Sequence, residues 1–110
     1  MNHIKNHISE GFTIIPNALI RDTSIKPCAK YIYAFLASMS DSWTFLTPEL
    51  CRALKLNSKT FINHRDQLIE SHWIYVETPR QQNGVFQPKI YHVLGEADPD
   101  FPLKLAVNHF

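Results

Sequence analysis

The sequence has 110 residues, 45% of them hydrophobic and 19% charged, with a formal net charge of +1. That is the profile of one soluble globular domain with a modest core, and it argues against a non-specific nucleic-acid coat. The longest apolar run, Tyr31 to Ala37, is far short of the about 18 residues a membrane span needs.

The opening MNHIKNHISEG lacks a hydrophobic stretch followed by a cleavage site, so residues 1–11 are expected to be a flexible segment rather than an export signal. Cys28 and Cys51 both fall on predicted helices as small hydrophobes, which points to a reducing cytoplasm and not a disulfide framework. His3 and His7 stand four apart, but no cysteine or acidic cluster completes a metal site. Phe12 to Ile15 reads as a short strand ending at Pro16-Asn17, and Ala18 to Ile20 as a turn of helix. Lys26, preceding Pro27, is biased away from helical angles, so a helix should begin at Pro27 and run to about Met39. Ala29, Ile32, Leu36 and Met39 form its apolar face, widened by Cys28, Tyr31 and Phe35, which makes it the central support of the core. Asp41-Ser42-Trp43 is a loop, and Thr44-Phe45-Leu46 a brief strand.

Thr47 to Ile74 carries the functional signal. Thr47 caps a helix with Pro48 at its first position and Glu49 at the positive end of the dipole. Leu50, Ala53 and Leu54 give it an inward stripe, and Lys55-Leu56 closes it. Asn57 caps a second helix, expected to extend to Ser71, and Leu56 with Phe61 has the spacing of a hydrophobic staple. At about 100° per residue, Phe61, Leu68 and Ile69 project to one side, with Ile62 on the margin. Lys59, Asn63, Asp66 and Gln67 project to the other, with Ser58 near the N-terminal end. Two helices joined by a tight turn is how a helix-turn-helix presents its second helix to the major groove. Lys suits guanine, and Asn and Gln suit adenine. Asp66 either accepts from cytosine or repels phosphate. Arg65 lies inward, either packing its stem as a structural residue or contacting phosphate. His64 flanks the helix as a packing residue.

Trp73 to Thr78 alternates as a strand, with Val85 to Leu94 as partner and Asn83-Gly84 supplying a tight turn. Pro88 puts the second strand at an edge or bulge. Arg80, Gln81, Gln82, Asn83 and Lys89 surround the turn, either touching backbone and minor groove or forming a plain polar tip. From Gly95 an acidic segment, ADPDFP, leads to an apolar end, Leu103 to Phe110, able to dock on the body or on a second subunit. Charge is distributed to match: Arg52, Lys55, Lys59 and Arg65 stand between residues 50 and 65 with no acidic residue among them. No phosphate loop or nucleophile context is present, and with three glycines in all the chain reads as non-enzymatic, with no cofactor.

FTIIPNALIRDTSIKPCAKYIYAFLASMSDSW, the segment SKTFINHRDQLIE and then NGVFQPKIYHV together resemble the winged-helix N-terminal domains of phage and plasmid replication initiators. The likeness covers residues 12–94, including IPNALIRDTS, Ala29, Tyr33, Trp43, Gly84 and Tyr91. It implies an α+β winged helix-turn-helix, a three-helix core with a small antiparallel sheet and wing, binding double-stranded DNA at an origin or operator, often as a homodimer. Contacts implied for the second helix are Ser58, Lys59, Asn63 and Gln67. On the flank and wing they are Lys55, Arg65, Arg80, Gln82, Asn83 and Lys89. Residues 95–110 would be a tail. Two departures stand out. His72 occupies a position where relatives carry Gly, so it either adopts a left-handed conformation or ends the helix differently. Those initiators are also longer, which implies a fragment or a small regulator that kept the DNA-binding part. The other open reading is a winged helix that docks a partner protein.

Overall fold

The computed structural model describes residues 1–39, 43–78 and 89–107. Its architecture is mixed α+β: α1 (Asn17–Ile20), α2 (Pro27–Ala37), α3 (Thr47–Leu54), α4 (Ser58–Glu70), β1 (Ile74–Glu77), β2 (Ile90–Val93) and α5 (Phe101–Val107). The strands pair antiparallel, with Ile74 opposite Val93 and Glu77 opposite Ile90.

α2 begins at Pro27, as the restricted angles of Lys26 require, and buries Ala29, Ile32, Tyr33 and Leu36. It ends at Ala37, so Met39 lies beyond it, and Tyr31 is 46% exposed instead of widening the apolar face. Tyr33 takes that inward place. Its ring meets Trp73 edge-on and its hydroxyl donates to the Leu94 carbonyl at 2.6 Å, which gives a buried phenol the partner it needs. α2 packs along α4, where Phe61 and Leu68 are fully buried. Leu19 and Ile25, from α1 and the turn after it, close the same core.

Several expectations need correction. Neither 12–15 nor 44–46 forms a strand; among the described residues β1 and β2 are the strands present. A strand in either place needs a ladder partner, and the two-stranded sheet provides none there. α3 starts one residue early, with Leu46 at the cap position and no side-chain cap bond, so Thr47 is already helical. Its buried face is Leu50, Cys51 and Leu54, while Ala53 points to solvent. Cys28 and Cys51 are both free thiols.

α3 and α4 both end on left-handed residues. Lys55 (φ 58) lets Leu56 N–H reach the Cys51 carbonyl at 2.9 Å, and His72 (φ 66) lets Trp73 N–H reach Leu68 at 2.9 Å. The accompanying bonds, Lys55 N–H to Arg52 and His72 N–H to Ile69, complete the paired pattern that satisfies the last helical carbonyls. His72 therefore does adopt the conformation that suits glycine. After β2 the chain returns across this corner: Leu94 N–H bonds Trp73, and Asp98 N–H bonds His72. The expected tail is in part a short helix, α5, seated on the sheet through Phe101 against Tyr75 and His92. No described helix is long and apolar enough to cross a membrane.

Candidate nucleic-acid interface

α4 is positioned from its first residue. Asn57 has extended angles and its side chain accepts the Thr60 N–H at 2.8 Å, satisfying a first-turn donor. Leu56 packs against the core cluster to which Phe61 belongs. With Phe61 and Leu68 turned inward, Ser58, Lys59 and Asn63 are exposed, as is Ile62 at 39%. Lys55 and Arg52, at the end of α3, are exposed just before this face begins. The turn thus carries three cations, Arg52, Lys55 and Lys59, toward solvent at the start of α4.

Gln67 is placed differently from its helix neighbours. Its Oε1 accepts Lys26 N–H at 3.1 Å and its Nε2 donates to the Ser24 carbonyl at 3.1 Å, so its amide fastens α4 to the start of α2. A side chain with both ends engaged on backbone has little left to offer a base edge. The same contact brings Lys26 beside Asn63, in a shallow groove of about 210 Å³ that also includes His64, Asp66 and Glu70. Sequence reasoning missed Lys26 as a neighbour of α4, and no local signal marks it because the two lie 41 residues apart.

On the opposite flank, Arg65 keeps 20% of its side chain exposed. Its Nη2 lies 3.0 Å from Asp66, its Nη1 donates to the Tyr91 hydroxyl at 3.3 Å, and its guanidinium sits 5.8 Å from the centre of the Phe61 ring. Burial works to lower its pKa, but the hydrogen bonds to Tyr91 and Asp66 outweigh it and leave the group more firmly protonated than usual. Arg65 thus links α4 to β2 through the Tyr91 hydroxyl. It also offsets the charge of Asp66. Tyr91 is the second residue whose role sequence reasoning missed, since its pairing with Arg65 spans 26 positions.

Lys89 is exposed and shares a cleft with Arg65 and Tyr91, so these two expected flank residues are brought together. Arg80, Gln82 and Asn83, with the expected Asn83-Gly84 turn and Pro88, lie outside the described residues. No protein-family model matches the sequence, and neither a curated protein nor a solved structure matches it.

Proposed function

We propose that this chain is a winged helix-turn-helix of a phage-type or mobile-element replication or regulatory module, and that it binds double-stranded DNA without catalysis. α3 and α4 form the helix-turn-helix, β1 and β2 the base of the wing. α4 enters the major groove with Ser58, Lys59 and Asn63 toward base edges, while Arg52 and Lys55 meet the flanking phosphates. The observation that carries this reading is the exposed Lys59–Asn63 face on a helix whose other sides are bonded to α2 and β2. A fixed helix with a free polar face is what base readout demands, because a misplaced donor loses its directional bond.

The test is a salt titration of duplex binding followed by fluorescence anisotropy. Affinity should fall steeply as salt rises, Lys59→Ala should weaken binding, and Lys55→Ala should flatten the log–log slope by about 0.9 for the one phosphate it neutralises. Asn63→Ala should weaken a preferred duplex more than a random one. Absence of duplex binding even at low salt would sink the proposal. A partner-protein role is the second reading, favoured by Leu103 and Val107 of α5, each 69% exposed.

A further inference from the structure

We propose that the cleft between the start of α3 and the start of β2 binds one unpaired nucleotide of a single strand, with the base against Phe45 and Tyr91 and the phosphodiester between Arg65 and Lys89. The cleft has a volume of about 250 Å³ and is lined by Phe45, Leu46, Thr47, Arg65, Lys89 and Tyr91. Its aromatic wall belongs to a continuous row. Trp43 stacks on Phe45 with ring centres 4.8 Å apart, and Phe45 meets Tyr91 edge-on at 5.2 Å. All three residues are partly buried, so packing holds them while each keeps part of its surface in solvent. Every base has a π-face, and stacking on an aromatic side chain is tolerant of sequence.

The polar half of the cleft matches a phosphodiester. A guanidinium has five N–H groups. Arg65 uses three of them, Nε and Nη2 toward Asp66 and Nη1 toward Tyr91, which leaves one on each terminal nitrogen. Two cations, Arg65 and Lys89, less the carboxylate of Asp66, leave a net charge of +1. That equals the single negative charge of an internal phosphodiester and falls short of the charge of a free mononucleotide. Bases inside a duplex hide their faces in the stack, so the occupant must be unpaired. The cleft uses neither Lys59 nor Asn63, so the inference stands apart from the duplex reading.

The full chain should be titrated into a fluorescein-labelled oligothymidylate of about ten nucleotides, with anisotropy as the readout. Saturable binding is expected, and Lys89→Glu and Phe45→Leu should each weaken it roughly fivefold or more. Lys89 is exposed, so its reversal leaves folding alone; circular dichroism checks Phe45→Leu. Lys59→Ala should lower duplex affinity and spare the oligothymidylate. The inference is overturned if the oligothymidylate does not bind or binds no better than an abasic phosphodiester of equal length. Indifference to Lys89→Glu, or an equal loss with Lys59→Ala, overturns it too.

Discussion

Gln67 makes two bonds that join α4 to the segment before α2, accepting from Lys26 N–H and donating to the Ser24 carbonyl, both at 3.1 Å. Gln67→Ala removes both. A neutral hydrogen bond contributes about 0.5–1.5 kcal/mol net, and these sit at an accessible edge where water can replace either partner, so the low half of the range applies. Two such bonds give a loss of about 1–2 kcal/mol. For a domain of this size, that lowers the melting temperature by about 4–8 °C. Urea denaturation followed by circular dichroism should show an earlier midpoint at unchanged slope. Duplex affinity, measured by anisotropy where both proteins are folded, should stay within about twofold. Lys59→Ala should do the opposite, lowering affinity and sparing stability. An unchanged urea midpoint for Gln67→Ala, or an affinity loss of about tenfold with stability intact, would show that the amide touches DNA and that the structural assignment is wrong.

His72→Gly should stabilise the fold by about 0.5–1 kcal/mol, because a non-glycine residue at φ 66 carries a left-handed penalty that exceeds the backbone entropy glycine adds to the unfolded chain; a raised urea midpoint checks it. Tyr33→Phe should cost about 1–2 kcal/mol by leaving the Leu94 carbonyl without its 2.6 Å donor, seen as an earlier urea midpoint with the near-ultraviolet signal of Trp73 retained. Asp98 bonds Lys104 at 2.9 Å, and that hydrogen bond holds its carboxyl below the ordinary value. A depressed carboxylate adds stability above its unfolded pKa of about 3.9 and loses it as pH falls through the lower folded value. α5 should therefore loosen from the sheet below about pH 4, and in an acid titration the Phe101 ring resonances should shift before the core unfolds.

What was legible in the sequence is what short-range chemistry decides. Pro27 fixes the start of α2 through its own ring and the residue before it, and Asn57 caps α4 through a bond spanning three residues. The inward stripe of Phe61 and Leu68 follows from helical spacing alone. The illegible parts depend on what lies across the core. Tyr33 is buried because Leu94, 61 positions away, offers a carbonyl. Cys51 and not Ala53 faces inward beside Leu50 and Leu54, a choice set by what packs on α3 and not by its spacing. Residues 12–15 and 44–46 have the composition of strands, but a strand needs a neighbour and the paired strands do not extend to them. In the candidate site, the outward set of Ser58, Lys59 and Asn63 was readable from periodicity, whereas the internal ties of Gln67 and Arg65 were not.

Those ties explain why polar residues on one helix should have different roles. α4 is fixed at its N-terminal end by Asn57, on one flank by Gln67 and on the other by Arg65 bonded to Tyr91. Its far end is fixed by the left-handed His72, whose carbonyl also receives the Asp98 N–H. Two of these attachments, Gln67 and Arg65, take a polar group that a sequence reading could assign to DNA, and all of them hold the remaining free groups more closely in direction. Side chains with long stems lose freedom when they bind, so a rigid helix keeps that loss to the stems of Lys59 and Asn63 alone. Asp66 shows the electrostatic side of the same arrangement. Left unpaired it would set a negative charge near the incoming backbone; at 3.0 Å from Arg65 it orients the guanidinium and nearly cancels in the far field. Arg52, Lys55 and Lys59 then stay exposed where α3 hands over to α4, at the end of the helix that would meet the groove first in the proposed complex.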